Sequence, residues 1–290
     1  METTRYEAPA TVADAVRLIQ ADPDAKVFAG GTDLLVQYRM GVRRPSAFID
    51  LKRIPELVGI SLDARGMRLG AATPAVTITE HPEVKQLWPG LVEGVHLVGS
   101  TQIQGRGTVG GNLCNGSPAA DTTCPLIADR ARCVIVGPEG ERIVAVEDFL
   151  VGPGKVALQK GEMLVAFLIP RPAARTSDAY LRLIPRTEMD IAVAGAGVSV
   201  TLDAKGVCTA ARVAIGAVAP KALLVPEAAE ALVGSTLDDA ALARAAAAAS
   251  AAANPIDDKR GTAAYRRQVV GVLTRRAAAI AGARASAAKA

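Results

Sequence analysis

The sequence predicts an α+β protein built from more than one packed unit, and three observations carry that prediction. A chain of 290 residues, half of them apolar, is long enough for about two cored domains. Up to Pro170, short β-like runs bounded by glycine and proline alternate with helical patterns. After the polar, proline-bearing stretch Pro170–Thr176, the composition changes to long strand patterns followed by alanine-rich helices.

Taken in order, Thr4–Ala8 is extended. Thr11 opens a helix through about Ala21, with Val12, Ala15, Val16 and Ile19 on one face, and Pro23 stops it. Lys26–Ala29 is a strand, Leu34–Met40 a helix ended by Gly41, and Phe48–Leu51 a strand, which together make a small βαβ-type unit. A new unit starts near Pro55. Val58–Leu62 and Met67–Ala71 form a hairpin, Thr77–His81 starts a helix, and Pro89–Val98 is a second helix. Ala119–Ala128 is helical, Arg132–Val136 pairs with Arg142–Val146, and Met163–Ile169 is a strand. Beyond the linker, Asp190–Leu202 and Val207–Val218 are strands. Leu224–Leu232, Asp238–Ala253 and Thr262–Ala283 are helices, with Asp258 at the start of the last and Ser286–Ala290 as a frayed tail.

Composition excludes several functions. The formal charge is only +4, the basic residues are dispersed and aromatics are few, which argues against nucleic acid. The cysteines, Cys114, Cys124, Cys133 and Cys208, form no Cys-x-x-Cys pair, and His81 and His96 are the only histidines. A zinc or iron–sulfur centre built from this chain is therefore not expected, and free, mostly buried thiols in a cytosolic protein are. No signal peptide and no membrane span are expected. His81 precedes a proline at a helix end and His96 reads as a packed helix residue, so histidine catalysis is disfavoured.

Two glycine stretches stand out. Thr108–Asp121, TVGGNLCNGSPAAD, holds three glycines, two asparagines and a proline, and is expected to be neither helix nor strand interior. Gly110-Gly111 lets the backbone approach a ligand, consecutive amides can face an anion, and Thr108, Asn112, Asn115, Ser117 and Asp121 add polar side chains. Val27–Leu35, VFAGGTDLL, reads as a strand running into Gly30-Gly31, with Thr32 or Asp33 as N-cap of the next helix. Two such loops can clamp the phosphates of a dinucleotide from opposite sides; either one alone is an ordinary surface loop. There is no Gly-x-Gly-x-x-Gly; Gly195 and Gly197 read as close-packing positions in a strand, and Gly152–Lys155 as a turn.

AGGTDLL followed about eighty residues later by TVGGNLCNGSPAAD, then YLRLIPRTEMDIAVAGAGV (Tyr180–Val198) and DDKRGTAAYRRQVVGVLTRR (Asp257–Arg276), resembles the FAD-binding medium subunit of the molybdenum hydroxylases, the xanthine dehydrogenase and CO dehydrogenase family. The resemblance covers nearly the whole chain. It implies a two-subdomain FAD-binding fold of the p-cresol methylhydroxylase/vanillyl-alcohol oxidase type, with subdomains at 1–54 and 55–172, plus a CO dehydrogenase flavoprotein-like C-terminal domain at 177–285. It places Val27, Phe28, Ala29, Gly30, Gly31, Thr32, Asp33 and Leu34 at a first FAD loop. Thr108, Gly110, Gly111, Asn112, Cys114 and Asn115 stand at a second, which Asp121 closes. Gly99, Leu164 and Tyr180 line the cofactor. Arg182 stands where many relatives have a lysine near the flavin ring, an exchange that keeps the charge and changes its shape and hydration.

The resemblance further implies non-covalent FAD in this chain, with no catalytic residue and no metal of its own. The molybdenum cofactor belongs to a large partner subunit and two [2Fe–2S] clusters to a small one, in a cytoplasmic dimer of heterotrimers. Electrons pass through the clusters to FAD and on to NAD or another acceptor. The alternative is a self-sufficient flavin oxidoreductase of the same fold, which the scarcity of histidine and the lack of a large substrate domain count against.

Overall fold

The computed structural model describes residues 4–288 and contains three larger sheets in chain order. The first is parallel, with strands β1 (Arg5–Glu7), β2 (Lys26–Phe28) and β3 (Ala47–Asp50) in the order β1-β3-β2. Helices α1 (Val12–Ala21) and α2 (Leu34–Arg39) connect them. The Thr11 side chain caps α1 by accepting from the Asp14 amide. All four residues of β3 are buried, as a central parallel strand requires.

The second sheet is antiparallel. Its strands are β4 (Ile60–Asp63), β5 (Gly66–Gly70), β6 (Arg132–Gly137), β7 (Gly140–Ala145) and β10 (Met163–Pro170), in the order β4-β5-β10-β6-β7. Between these lie α3 (Ala75–Glu80), α4 (Pro82–Leu87), α5 (Pro89–His96), α6 (Thr101–Gln104), α7 (Val109–Cys114), α8 (Thr123–Ala128) and α9 (Val146–Phe149), and the small ribbon β8 (Leu150–Gly152) and β9 (Lys155–Val156). Strand β10 divides two cores. Leu164, Phe167 and Ile169 face the helices around Trp88, Leu91 and Phe149, whereas Met163, Val165 and Ala166 face Ala15, Val16 and Ile49 of the first unit. An irregularity in register between Leu164 and Ala166 lets the neighbours Val165 and Ala166 point to the same side.

The third sheet is an antiparallel meander of β11 (Thr176–Leu183), β12 (Ala194–Leu202), β13 (Cys208–Gly216) and β14 (Leu223–Leu224). It is backed by α10 (Pro226–Glu230), α11 (Asp239–Ala252) and α12 (Ala263–Ala287). Alanine here serves packing as well as helix propensity: Ala245 and Ala249 of α11 and Ala277, Ala278, Ala281 and Ala285 of α12 are all fully buried. A β-carbon on Gly271 would lie 2.4 Å from Ser250 Oγ, so the two helices meet at close range.

Several expectations need correction. Residues 109–114 of the long glycine stretch are the helix α7, because Thr108 caps it and its buried face packs on Ala71. The helix expected over Ala119–Ala128 starts only at Thr123, so Asp121 lies outside it. Asp33 occupies the N-cap position of α2 without a side-chain capping bond. Thr262 caps α12; Asp258 instead accepts from Arg266 Nη2 at 2.6 Å. His96 is exposed, since Leu91 and Val95 take the buried face of α5. His81 caps α4 by accepting from the Val84 amide at 3.4 Å. Ser286 and Ala287 belong to α12; the last two residues of the expected tail lie outside the described residues. Gly195 and Gly197 do serve close packing: an added β-carbon would lie 2.7 Å from Tyr180 Oη at the first and 2.7 Å from the Cys124 backbone at the second. The four cysteines are free, and three are buried.

Candidate functional site

The two glycine stretches come together. Val27, Phe28, Ala29, Gly30, Gly31, Thr32, Asp33 and Leu34 line one side of a cleft of about 210 Å³. Gly107, Thr108, Gly111, Asn112, Cys114 and Asn115 line the other. The loops touch: a β-carbon on Gly30 would lie 2.0 Å from the Arg106 carbonyl oxygen, a contact only glycine permits. Gln37 Nε2 of α2 donates to Asn115 Oδ1 at 3.3 Å and ties the sides across the cleft.

Gly31 has φ +73°, and a β-carbon there would lie 2.2 Å from the Phe28 ring. Among the described residues, no acceptor meets the amides of Gly30, Gly31, Thr32 or Asp33. Four successive donors in a turn beside a cleft suit an anionic oxygen. Lys52 Nζ sits 4.2 Å over the Phe28 ring and donates to the Ala29 carbonyl at 3.0 Å, fixing the strand end that leads into the turn.

The second loop is organised differently. The Gly111 amide donates to Thr108 Oγ1 at 2.9 Å, so that amide is already satisfied. Gly110 is wedged under Ala71, whose carbonyl oxygen would lie 2.3 Å from an added β-carbon. At Gly111 an added β-carbon would meet only Thr108 Oγ1, at 3.0 Å; its remaining surroundings are the cleft. Thr122 Oγ1 donates to Asn112 Oδ1 at 2.7 Å, which leaves the Asn112 amide group as the end free for the cleft. Cys114 is half-buried in the cleft wall, and that burial pushes its thiol up to about 12, which favours the protonated form.

The remaining expected residues do not line this cleft. Gly110 is buried behind it, and Gly99, with φ +64°, packs on Ile103 beside Val98, which does line it. Leu164 is in the core on β10. Asp121, Tyr180 and Arg182 form a cluster of their own, where the end of the second loop meets β11. Tyr180 Oη donates to Asp121 Oδ1 at 2.8 Å and Arg182 Nη1 to Asp121 Oδ2, with the Arg182 and Asp121 side chains 4% and 9% exposed. Burial pushes the Asp121 carboxyl up to about 6 even though Arg182 pulls it down. The same burial, beside that carboxylate, holds the Tyr180 hydroxyl well above its usual range. Nearby on β11, Asp178 accepts from the Leu91 amide at 3.1 Å. Burial raises Asp178 to about 6, and burial together with the neighbouring Asp178 holds the Asp129 carboxyl well above its ordinary range.

Lys26, Gln37, Arg43, Val98 and Gly107 line the cleft without having been expected there. Arg39 at the end of α2 and Arg43 and Arg44 after it form a basic cluster visible in the sequence, but nothing in the sequence says that Arg43 faces this cleft. Nothing local marks Val98.

Residues 2–172 match the family described as the FAD binding domain in molybdopterin dehydrogenase, and residues 179–281 the CO dehydrogenase flavoprotein C-terminal domain. The carbon monoxide dehydrogenase medium chain of Afipia carboxidovorans is 36% identical over 281 residues, covering 97% of each chain. A putative xanthine dehydrogenase FAD-binding subunit of Escherichia coli K12 is 36% identical over 74% of each. The solved structure of reconstituted CO dehydrogenase from Oligotropha carboxidovorans superimposes with a TM-score of 0.93 at 36% identity, covering 97% of this chain and 98% of that one. With both family matches in chain order and the carbon monoxide dehydrogenase medium chain and the solved structure spanning it nearly end to end, this chain belongs to the FAD-binding medium subunits of the molybdenum hydroxylase family.

Proposed function

We propose that the chain holds FAD non-covalently across the cleft between the two glycine loops and serves as the electron outlet of a molybdenum hydroxylase complex. The observation that carries this reading is the convergence of the two loops on one cleft with the Gly30–Asp33 amides unclaimed. The residues present fit a dinucleotide. The amides answer the pyrophosphate, and Gly111 leaves open the space that a side chain would fill. The Asn112 and Asn115 side chains offer hydrogen bonds to the polar parts of the ligand.

FAD supplies the exchange between one-electron clusters of a partner subunit and a two-electron acceptor, NAD or another. The chain's own residues bind, orient and exclude water. Phe28 and Val98 give apolar walls, and the Gln37–Asn115 bond holds the two sides of the cleft at a fixed separation. Asp121, Tyr180 and Arg182 make a buried support between the second loop and the C-terminal sheet, the place from which this reading has them act on the cofactor. Gly99 and Leu164 shape the site through the packing behind it.

By the same reading the molybdenum cofactor lies in a large subunit and the [2Fe–2S] clusters in a small one, in a dimer of heterotrimers in the cytoplasm. No helix among the described residues is long and apolar enough to cross a membrane. The division at 1–54, 55–172 and 177–285 predicts that limited proteolysis cuts first within Pro170–Thr176. The decisive experiment is the flavin content of the purified complex and of its Gly111→Val variant. Stoichiometric FAD in the parent and none in the variant, with the partner subunits' cofactors intact, supports the reading. A parent without flavin, or a variant with full flavin, overturns it.

A further inference from the structure

Beside the cleft lies a second, larger recess of about 1150 Å³ formed by the ends of β1 and β2 and the turn after α2. Among the described residues, its charged lining is Arg5, Lys26, Arg39, Arg43 and Arg44 against the single carboxylate Asp24. Lys26 and Arg43 line both cavities, so the two adjoin at cationic residues. Arg5 is committed to Asp22, whereas among the described residues Lys26, Arg39 and Arg44 form no ion pair. Arg43 Nε donates to Gln37 Oε1 at 2.7 Å, and Gln37 in turn reaches Asn115 of the second glycine loop. A neutral amide leaves the guanidinium charge uncompensated while fixing its position at the junction.

The chain as a whole carries only +4, so this local excess is not a reflection of general basicity. Cations gathered in a concave surface focus the potential and raise the encounter rate of anions by about ten- to a thousandfold at low salt. Resting on the reading in which FAD occupies the cleft, we propose that this recess is the entrance for the cofactor. Arg39 and Arg44 steer the dianionic pyrophosphate, and Lys26 and Arg43 pass it to the amides of the first loop. Arg39 and Arg44 lie outside the cleft lining, so they act on the encounter and not on the bound state.

The test uses the full chain, stripped of flavin and refilled with FAD, with association and dissociation followed by flavin fluorescence. The double substitution Arg39→Gln/Arg44→Gln is expected to slow association about tenfold at low ionic strength and to leave dissociation unchanged, the gap closing as salt is added. Arg39 ends α2 and Arg44 lies in the segment that follows it, and both are exposed, so a thermal melt matching the parent's is expected; the single variant Arg44→Glu gives an independent reading of the same rate. Association rates and salt dependence equal to the parent's overturn the proposal, as does an effect confined to dissociation. If the parent itself takes up no FAD, the functional reading fails and the entrance falls with it, an outcome distinct from a parent that binds FAD at rates the substitutions do not change.

Discussion

The two glycine pairs look alike in sequence and do different work. At Gly30-Gly31 both residues are demanded by the protein itself: one by the Arg106 carbonyl, the other by a positive φ and the Phe28 ring. At Gly110-Gly111 only the first is. Gly110 is pressed on Ala71, while Gly111 sits in an ordinary helical conformation with open cleft before it. The first pair leaves its amides free to bind, and the second spends an amide on its own helix cap. A doubled glycine therefore marks a site without saying which member meets the ligand; the surroundings of the missing β-carbon decide that.

The contrast is tested most severely at Gly30. Gly30→Ala places a methyl inside a backbone contact that cannot yield, and should destabilise the chain by about 4 kcal/mol or more, seen as insoluble or unfolded protein. A soluble variant melting with the parent would mean that the loops do not touch. Next comes the support at the end of the second loop. Arg182→Ala leaves the buried Asp121 without its partner and should cost about 3 kcal/mol by denaturant titration. A neutral result would make the ion pair incidental.

The protonation of that support has a definite sign. The Asp121 carboxyl is raised to about 6 in the folded chain from 3.8, so the folded state holds the proton more tightly. Its contribution to stability is fully present below about 4 and is lost as pH rises through about 6. Asp178 slopes the same way over the same window, so the clean measurement is a difference. The melting temperature of Asp121→Asn relative to the parent should improve on going from pH 4 to pH 7. A pH-independent difference would show that the carboxyl keeps its ordinary value.

Smaller effects separate the members of the second pair. Thr108→Ala removes the cap of α7 and should cost about 1 kcal/mol in a thermal melt. Gly111→Ala should leave stability unchanged or raise it by about 0.5 kcal/mol, since alanine suits a helix better than glycine. The same variant should retain FAD poorly. If it loses stability and flavin together, Gly111 belongs with the other three glycines and the contrast disappears.

The amino-acid order alone establishes the α+β class, most strand and helix positions, the change of composition near Pro170, and both glycine loops, because these rest on periodicity and on turn residues that act locally. It also establishes the family, through four motifs in order. That residues 109–114 are helical is a product of the packed fold: two adjacent glycines argue against a helix, and the Thr108 cap together with packing on Ala71 outweighs them. The position of Asp121, outside the helix it precedes, has the same origin. Its carboxylate lies between Tyr180 and Arg182, partners about sixty residues away that no local pattern announces. Arg43 enters the cleft in the same way, through the fold of β2 and α2 against the second loop. Local preference writes the elements, and the burial of charge and the reach of side chains between distant elements settle what each one faces.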